Sequence, residues 1–359
     1  MPAESAPSFD AVLRFLRSST SHRAHDGGAA DVETIETHMS WVFLVGDQVL
    51  KLKKPVKTPF LDFSTLAARE AACRDEVRLN SRLAPGVYLG LLALQWSNGH
   101  LALVPEASLG ARAQAVEWLV WMRRLPAPRM LDQLIARAEV GQAEIDSLVH
   151  MLVAFYRGAS RVELDPLEQI RRFRQEQALN AKVLLHSGLQ LEGAARALEG
   201  VDQALILGAA VLQERVATAR IVDGHGDLRP EHVCLLQPPV VIDCLEFNAG
   251  LRRVDPFDEL SYLALECAIL GAEWVGDRIY DGCAIGLGDR PPASLRHFYT
   301  AFRGVLRARL CVAHLLEPQP RLPQKWLPLG QRYLVHSLRA LEAFRRSLAL
   351  SGPTGNGSR

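Results

Sequence analysis

The chain has 359 residues, a length that suits two packed subdomains or one large domain. Lysine plus arginine number 41 and aspartate plus glutamate 40, a formal net charge of +1, which argues against a whole-chain grip on nucleic acid or an anionic membrane. A hydrophobic content of 48% supplies a core and excludes a chain that is disordered throughout.

In chain order, residues 1–35 read as a short helix on the apolar patch Val12 to Leu16, followed by a loose loop, SSTSHRAHDGGAAD. The first ten residues lack an apolar core, so no secretory leader is expected. The segment WVFLVGDQVLKLKK predicts two strands turning at Gly46-Asp47. From Ser64 to Leu83 the apolar period becomes helical, with Ser64 as the expected N-cap. Pro85-Gly86 breaks the chain. YLGLLALQW and HLALV then predict strands about the Ser97-Asn98-Gly99 turn, and AVEWLVWMRRL a further strand stopped by Pro126 and Pro128. Helical spacing dominates the rest, near 142–158, 166–187, 190–218, 256–270, 292–316 and 324–348. One stretch interrupts it, IVDGHGDLRPEHVCLLQPPVVIDCLEFN, read as loop, short strand, turn, short strand, loop. The tail SGPTGNGSR is disordered by composition. The six cysteines form no CxxC pair and predict reduced, buried thiols. No apolar run reaches the ~18–20 residues that span a bilayer, so a cytoplasmic protein without a membrane partner is expected. Gly-Lys never occurs, which leaves no Walker-type loop, and GxSxG, HExxH and a complete GxGxxG are missing too.

The interrupting stretch carries the chemistry. His225-Gly226-Asp227-Leu228-Arg229-Pro230-Glu231-His232 is followed by Val241-Ile242-Asp243-Cys244-Leu245-Glu246-Phe247-Asn248. Two carboxylates at the ends of two short paired strands suit phosphoryl transfer. One orients the attacking hydroxyl, and the other holds Mg²⁺ through hard oxygen ligands. An Asp in a Gly/Pro-rich loop also serves as a simple turn former. The second apolar-flanked Asp weighs against that reading.

HGDLRPEHVCL with VVIDCLEFN resembles the catalytic loop and metal motif of aminoglycoside phosphotransferase-like kinases. HMSWVFLVGDQVLKLKKPV, FLDFSTLAARE and EVRLNSRLAPGVYLG resemble, more narrowly, a bacterial group of aminoglycoside phosphotransferase family enzymes. Some of that group carry an additional C-terminal P-loop domain, which this sequence is not expected to have. The resemblance covers roughly residues 35–345 and implies an α+β, bilobal protein-kinase-like fold. Its small sheet-rich N-lobe is expected over 36–126 and its larger helical C-lobe over 127–350, flanked by 1–35 and the tail 351–359. It implies an ATP- or GTP-dependent transfer of the γ-phosphoryl group to a hydroxyl of a small molecule, with Mg²⁺ or Mn²⁺ as the ion. Asp227 matches the base, Asp243 the metal-binding aspartate and His225 the residue bracing the loop, while Arg229 is expected to help bind phosphate or acceptor. Five residues after the base, where the kinase loop carries a metal-binding Asn, stands His232. Imidazole suits Zn²⁺ or Mn²⁺ better than Mg²⁺; alternatively His232 bonds Asp243 or a phosphate. Glu246 or Asn248 is then the compensating oxygen ligand.

If Gly46-Asp47 is the turn, Val42 lies opposite Lys51, and Val42, Leu44, Val49, Lys51 and Lys53 share one face. VLK matches the strand lysine of the resembled family, so Lys51 leads as the phosphate partner and Lys53 follows. Glu76 falls inside the apolar arc of the helix 64–83. A buried carboxylate needs a cation, so the expected pair is Lys51–Glu76. No Gly-rich loop precedes the strands; THMSWVF stands there, with Ser40 as the hydroxyl expected at phosphate. Met122, with Trp121, is expected in the core or lining the adenine pocket. Asp255-Pro256 predicts a helix cap, and Asp258 and Glu259 are expected on a solvated or substrate-facing side. Three rival classes remain: a nucleotide-binding regulatory module without turnover, a peptide kinase (for which no Ala-Pro-Glu segment follows Asp243), and a metal hydrolase using His225, Asp227, His232 and Asp243. No aminoglycoside resistance role is implied.

Overall fold

Alternating apolar residues and Gly-centred turns build an antiparallel sheet in the first part of the chain. The computed structural model describes residues 7–18, 31–58, 61–110, 114–320 and 322–351. The expected loop at 18–31 and the tail at 351–359 lie almost entirely outside them. The chain divides into two units, Met1–Met130 with His232–Leu251, and Leu131–Glu231 with Arg252–Arg359.

The first unit starts with helix α1 (Phe9–Arg17), N-capped by Ser8. Strands β1 (Val32–Glu36), β2 (Ser40–Val45) and β3 (Gln48–Lys53) follow, then β4 (Lys57–Thr58) and β5 (Leu61–Asp62), helix α2 (Leu66–Asn80), and strands β6 (Tyr88–Ser97), β7 (His100–Pro105) and β8 (Ala115–Arg123). Six strands form one sheet in the order β1-β2-β3-β8-β6-β7. The β2–β3 register places Val42 opposite Lys51 and Val45 opposite Gln48, about a turn where Gly46 takes φ +56°. β1 was not anticipated: VETIE has only two apolar residues, but pairing with β2 supplies its backbone hydrogen bonds. α2 starts one residue later than expected. Thr65, not Ser64, is its N-cap, accepting from the Ala68 amide at 3.2 Å, because Ser64 is held by Asp62.

Period two sorts the sheet into two faces. Leu50, Leu52, Phe43 and Leu119 pack with Val12, Leu13 and Leu16 of α1. Trp118, Val120 and Met122 pack on the other face with Cys73 of α2 and with Cys234 and Val240. Those last two come from strands β10 (Val233–Cys234) and β11 (Val240–Val241), a hairpin that returns to the first unit. Lys51 and Lys53 alternate with Leu50 and Leu52, so the lysines share the α2 face. Arg69 of α2 ties that helix to the sheet, its Nε donating to Glu117 Oε2 at 3.0 Å with both residues buried.

The second unit is helical: α3 (Leu131–Ala136), α4 (Gln142–Gly158), α5 (Pro166–Leu184), α6 (Ala194–Ala217), the one-turn α7 (Ala249–Arg252, at the boundary), α8 (Pro256–Ile269), α9 (Glu273–Leu287), α10 (Ala293–Ala313) and α11 (Pro323–Ser351). α9 falls where no helix was expected. Its Gly276, Gly282 and Gly286 each lie where a Cβ would collide with Ala264, Val149 or Val153. These glycines let α9 pack closely on α8 and α4. Asp255 caps α8 as expected, accepting from the Phe257 amide at 3.0 Å. α8 is buried along almost its whole length. Strands β9 (Val222–Asp223) and β12 (Arg253–Val254) pair beside it. The short strand, turn and short strand expected in the interrupting stretch are β10 and β11, which pair with each other, while β9 in the preceding loop pairs with β12. All six cysteines are free and buried. No helix among the described residues is long and apolar enough to cross a membrane.

Candidate active site

In the first unit, the α2 face of β3 meets the carboxylates of α2 and of the segment after β11. Lys51 Nζ donates to Glu76 Oε1 at 2.9 Å and to Asp243 Oδ1 at 2.8 Å. Lys53, over the ring of Phe63, bonds both Glu76 and Glu246. Side-chain exposures are 17% for Lys51, 2% for Lys53, 1% for Glu76 and 7% for Glu246, against 47% for Asp243. The four buried charges cancel. The surplus negative charge sits on Asp243, the one carboxylate of the set that is open to a ligand.

Charge sets the proton affinities. Burial alone would raise Glu76, but Lys51 and Lys53 outweigh it and hold the carboxyl below its ordinary value. Lys51 and then His232 hold Asp243 well below the usual carboxylate range against burial. Burial acts on Glu246 more strongly than Lys53 does and pushes its carboxyl up. Burial would lower Lys51, but Asp243 and Glu76 raise it far above its ordinary value, so it stays charged.

The backbone at Asp243 is strained into place, with φ +64°. A non-glycine residue there costs on the order of 1 kcal/mol, and Asp tolerates it better than most. Two side chains fix the bend. The Asp243 amide donates to Tyr88 Oη at 3.3 Å, and the Cys244 amide to Asn80 Oδ1 at 2.8 Å. Asn80 in turn donates to the Glu76 carbonyl at 2.9 Å, so α2 locates both Glu76 and the Asp243 bend. His232 is buried, with Nε2 3.7 Å from Asp243 Oδ2, and its carbonyl accepts from the Ile242 amide at 2.9 Å. These donors fit a divalent cation, because an exposed carboxylate with surplus negative charge stands beside a ring nitrogen. Glu246, expected as a compensating ligand, is engaged by Lys53. Ser40 is buried in a turn where its amide donates to Thr37 Oγ1 at 3.0 Å, and Met122 is buried in the core.

In the second unit, β9 and β12 hold the start of the His225–Arg229 loop, and Glu259 of α8 holds its bend. The Glu259 carboxylate accepts from the His225 amide at 2.9 Å, from the Gly226 amide, and from Tyr156 Oη at 3.0 Å. Gly224 is required here, since a Cβ would lie 2.6 Å from Glu259 Oε2. His225 is buried, and its Nδ1 accepts from the Asp227 amide at 3.2 Å. Asp227 is engaged from two sides: Tyr262 Oη donates to Oδ1 at 3.1 Å, and Arg229 Nη2 lies 3.0 Å from Oδ2. Arg229 also pairs with Glu231 at 2.6 Å. Burial and the Asp227 charge keep Tyr262 protonated, hence a donor. Asp258 and Glu259 are neither solvated nor substrate-facing: Asp258 is buried and clamped by Arg303 at 2.7 and 2.8 Å, and Glu259 faces the loop backbone.

The sheet with its lysine–glutamate pair, the helical unit and the HGD loop define a protein-kinase-like fold. Comparison with solved structures agrees. A choline/ethanolamine kinase family protein from Mesorhizobium loti superposes with TM-score 0.53 at 14% identity, over 94% of this chain and 97% of that one. A choline kinase from Cryptosporidium parvum gives 0.54 at 10% identity, over 89% and 91%. APH(2″)-IIia, solved with GDP and kanamycin, gives 0.51 at 15% identity, over 93% and 98%. The chain thus shares the fold of aminoglycoside phosphotransferases and choline/ethanolamine kinases. In sequence it is 32% identical over 326 residues to the uncharacterized proteins Rv2004c of Mycobacterium tuberculosis and Mb2027c of Mycobacterium bovis, covering 89% of this chain. The chain spans 62% of the length of these relatives. No protein-family model matches it.

Proposed function

We propose that the chain is a cytoplasmic ATP- or GTP-dependent phosphotransferase acting on a hydroxyl of a small molecule. The observation that carries this reading is the Lys51–Glu76–Asp243 chain of contacts, which leaves a fixed cation and an exposed carboxylate side by side. Its fold is that of a choline kinase and of APH(2″)-IIia, which supports the same class of reaction. Lys51, held charged, is the group for the nucleotide phosphates. Asp227 is the base: its carboxylate accepts the acceptor's hydroxyl proton or aligns it, which contributes about 10²–10⁴ in rate. Two donors on Asp227, Tyr262 and Arg229, fix its rotamer, which favours alignment of the hydroxyl. Arg229 adds a cation for charge that develops on the phosphoryl oxygens. A bound Mg²⁺ or Mn²⁺, held by Asp243 with His232, would neutralise phosphate charge.

Thermal unfolding with ATP or GTP, with and without Mg²⁺ or Mn²⁺, tests the nucleotide site beside an Asp243→Ala control. Ligand at about a hundred times its dissociation constant adds roughly 2.7 kcal/mol. Release of ADP with choline, ethanolamine and kanamycin as trial acceptors then tests transfer. A metal-dependent shift lost in the control supports the reading, and absence of any shift with both nucleotides refutes it. A second reading, a nucleotide-binding module without turnover, is favoured by the engagement of Glu246 by Lys53. A shift that needs no metal would select it.

A further inference from the structure

We propose that Asp243 and His232 form a mixed oxygen–nitrogen site for a single transition-metal ion, with Glu246 withheld from it, so that ions of the Mn²⁺, Co²⁺ or Zn²⁺ type bind in preference to Mg²⁺. The proposal deepens the phosphotransferase reading and rests on it for the nucleotide, but not for the ion.

Three observations carry it. First, the Asp243 carboxylate is divided: Oδ1 takes Lys51, and Oδ2 faces His232 Nε2 at 3.7 Å. That separation is too long for a hydrogen bond. It suits two donors on one ion, which at about 2.0–2.2 Å each lie within about 4.2 Å of one another. Second, the pair is built in: the His232 carbonyl accepts from the Ile242 amide at 2.9 Å, and the Asp243 bend is pinned by Tyr88 and Asn80. Third, Glu246 belongs to the charge-neutral buried set, through Lys53. Freeing it for a second ion would strand Lys53, a buried ammonium, beside a single shared glutamate. One carboxylate and one imidazole therefore face the ion. Mg²⁺ demands oxygen ligands and near-ideal octahedral geometry, whereas imidazole suits later first-row ions.

The test titrates Mg²⁺, Mn²⁺ and Co²⁺ separately into the purified chain, with and without a non-hydrolysable ATP analogue, by calorimetry. The variants are His232→Asn, His232→Gln and Asp243→Asn, each first checked for folding by circular dichroism. The expected results are one ion per chain and Co²⁺ at least about tenfold tighter than Mg²⁺, a preference that collapses in both His232 variants. Bound Mn²⁺ should show a nitrogen coupling in its electron spin echo that both His232 variants lose, which reports ligation directly. Two ions per chain, an unchanged Co²⁺/Mg²⁺ ratio in the His232 variants, a bound Mn²⁺ without nitrogen coupling, or no ion binding in any condition would each overturn the site. Phosphotransfer is measured separately: turnover with no role for His232 sinks this inference and spares the function, while ligation without turnover under any ion does the reverse.

Discussion

Lys53→Met isolates the buried charge balance of the first unit. Lys53 is almost fully enclosed and bonds both Glu76 and Glu246. Methionine keeps the apolar stem and much of the volume, so no large cavity is expected. What changes is charge. Glu76 retains Lys51 at 2.9 Å, but Glu246 loses the ammonium that bonds it. Removing one partner of a buried pair costs about 3–5 kcal/mol, a large share of the roughly 5–15 kcal/mol that holds a native protein together. Neutralising the stranded group should recover much of that, so Lys53→Met with Glu246→Gln is expected to be more stable than Lys53→Met alone, with a coupling of about 2–3 kcal/mol. The loss should also shrink at low pH. Burial already pushes the Glu246 carboxyl up. A raised folded value contributes stability below the unfolded value of about 4.3, and that contribution disappears as pH rises through the folded value. Urea unfolding, followed through Trp41, Trp96, Trp118 and Trp121 on the sheet and by far-ultraviolet dichroism, measures all three quantities. A Lys53→Met variant within about 1 kcal/mol of the native chain, or a double variant weaker than the single one, would refute the charge argument.

Lys51→Met should remove acid sensitivity as well as nucleotide affinity. Lys51 depresses Glu76 and Asp243, which contribute stability above about pH 4–4.5 and lose it as pH falls through their folded values; the variant's stability between pH 5 and pH 3 should be flatter by urea titration. Asp227→Asn is expected to leave the ATP-dependent thermal shift intact and cut phosphotransfer by at least about 10²-fold, measured as ADP release. Tyr262→Phe removes one donor from Asp227 without a change of volume, and should lower the turnover number by more than it raises the Michaelis constant for acceptor. Glu259→Gln keeps two acceptor sites at most half as strong for the His225 and Gly226 amides, and should cost about 1–3 kcal/mol in stability together with a loss of turnover.

The sheet unit was legible because two-residue periodicity leaves little freedom. Once Gly46-Asp47 was read as a turn, the register put Lys51 opposite Val42, as observed. Glu76 was legible for the same kind of reason, as a charge inside an apolar arc. The sharing of Glu76 by two lysines was not, because alternation puts Lys53 on the Lys51 face without saying that Glu246 arrives from 193 residues further along the chain. Asn80 and Tyr88 gave no signal; each acts through one hydrogen bond to a distant bend. Glu259 was misjudged because its position in the first turn of α8 looks like an ordinary acidic start to a helix, and only the burial of α8 shows that it serves the HGD loop. β1 lacked an apolar alternation strong enough to announce it, and α9 was hidden by the glycines that allow its close packing.

The return of the β10–β11 hairpin also bears on synthesis. Strands of the first unit leave the ribosome early, but Cys234, Val240, Asp243 and Glu246 belong to residues 232–251, behind the intervening stretch 131–231. At about 5–20 residues per second, roughly 100 residues take some 5–20 s to appear. During that interval Lys53 and Glu76 exist without Glu246, and the apolar face of Cys73 and Trp118 lacks its cover. A nascent chain halted near residue 200 is thus expected to be soft to protease in the sheet unit, and one halted beyond the tunnel-cleared residue 251 to be resistant.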